Sequence, residues 1–309
     1  MTKEETKQDS RPQDDEIDLR ELFTAIWQGK WIIIVVTFVS AIGSVFYALS
    51  LPNIYKSEVL LAPVAQEQSM RIPGQLGGLA ALAGVNLGGA SGTDKTTLAI
   101  EVLKSREFIG RFIEKYDLFV PVMAARGWDL STNTLILDSA IYNLDTAEWT
   151  RDVKVPRRAK PSVLETHEEF MKLLNISRDN STGLVRVSVE HFSPYLAKEW
   201  LKWLVKEINE EMRQRELDEA ERSIAYLNEQ VLKTNLADAR TMLFSLIEEQ
   251  TKTLMLANVR NEYVFKTLDP AVVAEMKAKP ARALISILGL LLGCVLSVFF
   301  VLIAYFYKI

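Results

Sequence analysis

The sequence predicts an α+β protein in which two membrane-spanning helices flank a water-soluble domain with one unusually long helix. Two uncharged apolar segments, residues 31–51 and 283–307, predict the membrane helices. A lipid core about 30 Å thick needs roughly 20 apolar residues in a helix, and both segments are that long. Residues 52–282 are polar enough for water and numerous enough for one domain. Both ends of the chain are therefore expected on the same side of a membrane.

The two spans divide the chain into successive parts. These are a head with a juxtamembrane helix (1–30), the first span (31–51), the middle domain (52–282), the second span (283–307) and the final two residues (308–309). Asp18 and Glu21 have the spacing of a capping box, which predicts where the juxtamembrane helix begins. A cleaved signal peptide is disfavoured, because the head is long and net acidic and the first apolar run exceeds the usual length of about 7–15 residues.

A helical pattern from about residue 193 to 232 predicts a helix about 60 Å long, which is longer than a compact domain needs. Towards its end a narrow apolar seam recurs at 4-3-4 spacing, formed by Ala220, Ile224, Leu227 and Val231. A second helix, from about 235 to 260 with Asn235 as its N-cap, repeats this rhythm. The seam requires a partner helix, and we expect it to be exposed unless a neighbouring chain covers it.

Shorter elements complete the middle domain. We expect strands at 54–63 and 263–268, a helical stretch at 93–118, and a β-hairpin with arms at 173–177 and 184–189. Val185, Val187 and Val189 alternate with polar residues, which is typical of a half-buried strand. Residues 74–92 are rich in Gly and Ala but too short to span a membrane. We expect a loop there, on the inner wall of an oligomer, against the membrane surface or tucked into its own domain.

No group of residues predicts catalysis. His167 and His191 are the only histidines, and the single cysteine, Cys294, lies in the second span, so neither a zinc site nor a nucleophile is indicated. Residues 89–96 resemble a phosphate-binding loop, but two residues separate its last Gly from Lys95. The net charge of −4 gives no basis for nucleic-acid binding. We therefore predict a protein that is not an enzyme and that binds no cofactor or metal.

Both spans contain small residues one helical turn apart. Gly289 and Gly293 form a GxxxG motif in the second span, and Ser40 and Ser44 form a small-xxx-small motif in the first. Small residues allow helix backbones to approach closely in lipid, where no hydrophobic drive brings helices together. We therefore predict that the two spans pack against each other through these four residues.

Several segments together resemble the chain-length determinant proteins, the Wzz-type polysaccharide co-polymerases of Gram-negative inner membranes. The matching segments are residues 17–23 (IDLRELF), 55–58 (YKSE), 76–80 (LGGLA), 246–251 (LIEEQT), 269–271 (DPA) and 280–284 (PARAL). The resemblance covers both ends and the long helix, and it is weakest over residues 120–174. The family's proline-rich approach to the second span is reduced here to Pro270 and Pro280.

The resemblance implies a periplasmic α/β domain topped by the long helix, with both chain ends in the cytoplasm. It also implies a homo-oligomeric ring, of eight chains, in the inner membrane. Such a ring sets the modal length of O-antigen, a lipid-linked glycan extended by a Wzy-type polymerase. The alternatives are a co-polymerase for another surface glycan, such as enterobacterial common antigen or an exopolysaccharide, and a membrane sensor or scaffold.

Overall fold

The computed structural model describes residues 26–64 and 91–307 of the chain. The predicted capping box at Asp18 and Glu21, and residues 74–90 of the Gly- and Ala-rich segment, lie outside the described residues. The chain divides into two compact units. Of the described residues, those up to Leu51 and from Pro280 onward form a membrane unit, and those from Pro52 to Lys279 form a soluble unit.

Helices and strands both occur, as the sequence predicted. The helices are α1 (Lys30–Ser50), α2 (Ser91–Lys104), α3 (Arg106–Lys115), α4 (Phe119–Met123), α5 (Val163–Leu173), α6 (Pro194–Lys233), α7 (Ala237–Val259) and α8 (Arg282–Tyr307). The strands are β1 (Tyr55–Pro63), β2 (Ala125–Asp129), β3 (Thr134–Leu137), β4 (Tyr142–Asn143), β5 (Glu148–Trp149), β6 (Leu174–Arg178), β7 (Val185–His191) and β8 (Phe265–Asp269). The predicted α+β class, with a long helix between two terminal apolar helices, is confirmed.

The first and last helices are long and apolar enough to cross a membrane. Their mean hydropathy is 2.4 over Lys30–Ser50 and 2.9 over Arg282–Ala304. Most of their large apolar side chains are exposed within the chain, as expected for helices whose solvent is lipid.

The soluble unit is built on a four-stranded antiparallel sheet with strand order β6-β7-β1-β8. β6 and β7 form the predicted hairpin, and Gly183 closes its turn with a φ of 74°, a conformation that favours glycine. Val185, Val187 and Val189 are buried as the alternation predicted, but Ser188 is also buried, so the strand is not open to water along its whole second face. β1 is the strand that follows α1, and β8 is the strand that precedes α8. These two strands, which lie nearest in sequence to the membrane helices, are neighbours in the sheet.

The core lies between this sheet and the first half of α6. Ser193 caps α6 by accepting a hydrogen bond from the backbone N–H of Leu196. One side of the helix then buries Trp200, Leu201 and Leu204, which join the strand valines in one apolar cluster. Burying each such side chain contributes roughly 1.5–3 kcal/mol. The long helix is therefore anchored by its first half.

The second half of α6 forms a helical hairpin with α7. Only Thr234, Asn235 and Leu236 separate the two helices, which pack against each other along their length. Ala220 is 1% exposed and Ala257 0%, and the other seam residues, Ile224, Leu227 and Val231, are half-buried. Ala220 is therefore covered within the single chain, and contact of Ile224, Leu227 and Val231 with a neighbouring chain stays a prediction.

Two predicted helix boundaries also differ from the structure. Leu236, not Asn235, is the N-cap of α7, and no side chain caps this helix. The single helical stretch predicted at 93–118 is broken at Ser105, whose hydroxyl accepts a hydrogen bond from the N–H of Phe108 and starts α3. A serine that caps a new helix offers the backbone an alternative to continuing the old one.

Candidate functional site

The closest helix contact in the membrane unit is the one that the small residues predicted. A Cβ atom added to Gly289 would lie 2.3 Å from Cβ of Ser44, and one added to Gly293 would lie 2.4 Å from Cβ of Ser40. Real Cβ atoms do not approach so closely, so both positions require glycine while the helices keep this separation. The structure thus brings together all four residues singled out in the two spans.

Hydroxyl groups line the same interface. Ser44 Oγ donates to the carbonyl of Ala41 at 2.8 Å, and Ser297 Oγ donates to that of Cys294 at 2.8 Å. Thr37 Oγ1 and Ser297 Oγ lie 3.5 Å apart across the interface. Because the Ser44 and Ser297 hydroxyls are satisfied within their own helices, these two side chains can face another helix in lipid without an unpaired donor.

The two ends of the interface are also tightly fitted. At one end a Cβ on Gly29 would lie 2.3 Å from Cγ1 of Val301. At the other end Arg282 donates from Nε to the carbonyl of Ala48 at 3.1 Å and from a terminal nitrogen to that of Leu51 at 3.4 Å. A cation there satisfies carbonyls that the end of α1 leaves unpaired and complements the helix dipole. The sequence marked Arg282 only as a charge flanking the span.

In the soluble unit, Asn209 of α6 forms hydrogen bonds with the segment that connects α7 to β8. Its Oδ1 accepts hydrogen bonds from the N–H groups of Tyr263, Val264 and Phe265 at 2.9, 2.9 and 3.0 Å. Its Nδ2 donates to the carbonyl of Phe265 at 3.0 Å. Asn209 is 5% exposed, so these bonds are shielded from water. No sequence pattern indicates this role of Asn209, because its partners lie more than fifty residues away.

Ion pairs join α3 to the same helix. Glu207 binds Lys115 at 2.7 Å and accepts a hydrogen bond from the hydroxyl of Tyr116 at 2.8 Å. Burial alone would raise the pKa of Glu207, but these two hydrogen bonds hold it below the usual range. Burial together with the nearby carboxylate raises the pKa of Tyr116 to about 12. One turn along, Glu211 repeats the pattern with Arg111.

His191, the last residue of β7, is buried in its neutral form. Its Nδ1 accepts a hydrogen bond from the N–H of Ser193 at 3.1 Å, so the ring proton must be on Nε2, which lies 3.0 Å from the carbonyl of Pro121. Burial lowers the pKa of His191. The ring also packs on Trp200 at a centroid distance of 4.7 Å. Both ring nitrogens therefore serve the fold.

The two family prolines bracket the segment that leads to α8. Pro270 directly follows β8, and Pro280 lies two residues before α8 begins. Between them the chain runs back beside the start of β1, where Ile54 accepts from the N–H of Ala278 at 2.8 Å and donates to the carbonyl of Lys279 at 3.0 Å. Among the residues described, no cluster of three or more His, Cys, Asp or Glu could hold a metal ion.

Comparison with known proteins gives one family match. The family model for the chain length determinant protein, Wzz, matches residues 15–116, about a third of the chain. A solved structure described as a full-length bacterial polysaccharide co-polymerase is similar over 94% of this chain and 98% of that one, with 14% identity and a TM-score of 0.38. No curated protein matches the chain. The resemblance to the chain length determinant family that the sequence predicted is therefore confirmed as a similarity over residues 15–116.

Proposed function

We propose that this protein is a non-enzymatic regulator of glycan chain length, which acts as a co-polymerase beside a Wzy-type polymerase and sets the modal length of O-antigen. The match of residues 15–116 to the chain length determinant family carries this proposal. The arrangement of the chain supports it, because a soluble unit held between two apolar helices stays at a membrane where a lipid-linked glycan is extended.

In this proposal the protein is anchored in the inner membrane, with both chain ends in the cytoplasm and the soluble unit in the periplasm. The polymerase is itself a membrane protein, so the paired helices α1 and α8 are its proposed point of contact. The outer surfaces of the two helices are apolar and exposed, whereas the small residues of each helix contact those of the other. A partner in the bilayer would therefore meet the outer surfaces and leave the Gly–Ser interface intact.

The protein is also proposed to act as a homo-oligomeric ring, with eight copies as the starting estimate. Because Ala220 of the seam is already buried within the single chain, we propose other surfaces of the hairpin for the contact between chains. The hairpin of α6 and α7 offers large apolar side chains that remain exposed in the single chain: Tyr226, Leu232, Leu236, Met242, Phe244, Met255 and Val259. Exposed apolar clusters of this kind favour association with another protein surface.

Deleting the gene and separating the cell's lipopolysaccharide on a gel tests the function. We expect the modal band cluster to disappear while polymer of unregulated length persists, because polymerisation belongs to another protein. A strain that makes no polymer at all would contradict the proposal and point to an enzyme. A change confined to a different surface glycan would keep the co-polymerase role and replace O-antigen as its target.

Native mass spectrometry of the full chain in detergent tests the oligomer separately. We expect one closed assembly at micromolar concentration, and Phe244→Ser together with Met255→Ser should shift it towards smaller species. Leu98→Ser is the matched control, because Leu98 is an exposed apolar residue that belongs to α2 and not to the hairpin. Only monomer in the unmodified protein would overturn the ring.

A further inference from the structure

The soluble unit contains a cleft in which three of the eight lining residues are aromatic. It has a volume of about 320 Å³ and is lined by Pro52, Asn53, Tyr55, Arg126, Gly127, Trp128, Ile136 and Phe192. This volume is at the small end of ligand sites, so it suits a ligand of about a dozen heavy atoms better than a peptide or a lipid chain. Pro52 and Asn53 directly follow the first membrane helix in sequence.

The aromatic rings of the cleft are held in fixed orientations. Trp128 Nε1 donates a hydrogen bond to Oδ1 of Asn133 at 3.0 Å, which fixes the rotation of the indole. Tyr55 meets Trp128 edge to face, with centroids 5.6 Å apart and planes at 83°. Tyr195 supports the indole from another side at 6.0 Å. Rings oriented in this way present electron-rich faces without further ordering, and such faces attract C–H groups.

A cation lies beside these rings, and a backbone irregularity places it there. β2 and β3 pair with a register shift between Ala125 and Gly127, so Arg126 is the extra residue of a β-bulge. Bulges turn side chains away from the regular alternation and occur often beside functional sites. With the residues that the structure describes, the Arg126 guanidinium forms no ion pair or hydrogen bond. It is therefore ready to bind a phosphate or carboxylate through paired N–H groups.

We propose that this cleft binds one anionic hexose unit, a pyranose that carries a phosphate or a carboxylate. The sugar's C–H face would rest on the rings of Trp128 and Tyr55, and its anionic group would bind Arg126. Tyr55 also lines the cleft, where its hydroxyl would bond to a hydroxyl group of the sugar. The choice of a sugar rests in part on the proposed function, since a length regulator works beside a growing glycan. Gly127 also lines the cleft, and a Cβ added there would lie 3.6 Å from Cδ1 of Ile136.

The test is saturation-transfer NMR on the full chain in nanodiscs, which avoids sugar-based detergents that would compete. The probe is α-D-glucose 1-phosphate. We expect transfer to the ring protons of the sugar, with weak binding in the millimolar range that is typical of a single small ligand making few contacts. Methyl α-D-glucopyranoside lacks the anion and glycerol 1-phosphate lacks the ring, so each should bind at least about tenfold more weakly than the sugar phosphate.

Two variants locate the site. Arg126→Gln should weaken binding at least about tenfold, the loss expected for one charge-assisted hydrogen bond, while the exposed position keeps the fold unchanged. Trp128→Leu should remove the transfer to the ring protons. Arg158→Gln is the matched control, because Arg158 is an exposed arginine that does not line the cleft, and it should leave binding unchanged.

Three outcomes would overturn the proposal. One is no transfer above that of empty nanodiscs. Another is equal binding by the unmodified protein and Arg126→Gln. The third is binding of glycerol 1-phosphate as strong as that of the sugar phosphate, which would assign the cleft to a lipid headgroup. Because binding is measured on purified protein, its failure leaves the regulation of chain length to be decided by the gene deletion alone.

Discussion

The protein contains two antiparallel helix pairs that are stabilised in different ways. In the membrane unit, α1 and α8 meet through Gly289 and Gly293 against two serines, with no room for a further methyl group. In the soluble unit, α6 and α7 also bury small residues, Ala220 and Ala257, but half-buried Ile and Leu side chains flank them. Lipid offers no hydrophobic gain for bringing helices together, so the membrane pair depends on close backbone approach, whereas the hairpin gains by removing apolar surface from water.

Each pair is also tied at one end by a single polar side chain, with opposite chemistry. Asn209 accepts hydrogen bonds from three backbone N–H groups where the chain leaves α7 for the sheet. Arg282 donates to two backbone carbonyls where α1 ends. In the soluble unit, the side-chain oxygen of Asn209 therefore pairs backbone N–H groups that would lack an acceptor. In the membrane unit, the guanidinium of Arg282 pairs backbone carbonyls that would lack a donor.

The largest expected effect comes from breaking the tie in the soluble unit. Asn209→Ala leaves three backbone N–H groups without their buried acceptor, and we expect the free energy of unfolding to fall by on the order of 3 kcal/mol. Urea unfolding of the full chain in micelles, followed by tryptophan fluorescence, measures this loss. Asn228→Ala is the control, because Asn228 is an exposed asparagine on the same helix. Equal midpoints for the two variants would show that water replaces Asn209.

The hairpin contact should respond next. Ala220→Leu inserts a large side chain where Ala220 is only 1% exposed, and overpacking of this kind costs about 1–3 kcal/mol. Ala225→Leu makes the same change at an exposed position of α6 and should leave stability nearly unchanged. Thermal unfolding monitored by circular dichroism compares the two. A stable Ala220→Leu protein would mean that α7 moves away easily, and the seam would again be available to a neighbour.

The membrane pair should show a smaller cost in stability but a larger effect on function. Gly293→Leu forces α1 and α8 apart at a cost of about 1–2 kcal/mol, the scale of contacts between membrane helices. We expect oligomer size in native mass spectrometry to persist and glycan lengths on a gel to become unregulated. Gly43→Leu is a matched control, since nothing lies within 4 Å of a Cβ placed there. Normal banding with Gly293→Leu at normal protein level would reduce the motif to a chance feature.

The smallest effect, that of pH, acts through the soluble unit. His191 stays neutral in the fold because burial lowers its pKa, while in the unfolded chain it binds a proton below pH about 6.5. The free energy of unfolding should therefore fall by at most about 1.4 kcal/mol per pH unit as pH drops below 6.5, until the folded pKa is reached, and stay level above it. Urea titrations at pH 7.5 and 5.5 measure the difference.

The variant His191→Asn should remove this dependence, and His167→Asn, at the other histidine, should retain it. A dependence that survives in His191→Asn would assign it to other groups, such as the carboxylates held ionised beside α6. Those carboxylates contribute stability above their usual titration range and lose it only as pH falls further, so the two sources separate by pH.

The sequence predicted best the features that repeat within a short window. Length and hydropathy identified both spans, period-2 alternation identified the β6–β7 hairpin, and small-residue spacing identified the Gly–Ser interface before any geometry was known. The prediction that Asn235 is the N-cap of α7 was wrong. Its residue type suits an N-cap, but the position of the cap depends on where α6 ends and the connection turns.

The missed features depend on contacts between distant parts of the chain. Asn209 is one asparagine in a long helix, and nothing nearby in sequence indicates that three amides from residues 263–265 meet it. The seam was correctly identified as a helix contact, but periodicity alone cannot distinguish the chain's own helix from that of a neighbour. The cleft also escaped notice, because β1, β2 and the residue after β7 supply its rings.

The bonds between Ile54 and the segment before α8 have a mechanical consequence. The two passages of chain that lead to the membrane helices run side by side, joined at Ile54 to Ala278 and Lys279 and, further in, by Ser57 Oγ donating to the carbonyl of Val272 at 2.7 Å. These bonds lie one after another along the two passages. A force that pulls the passages apart at the Ile54 end would therefore break them in sequence and not all at once. Separation of the two passages should therefore proceed from Ile54 towards Ser57, one bonded pair at a time.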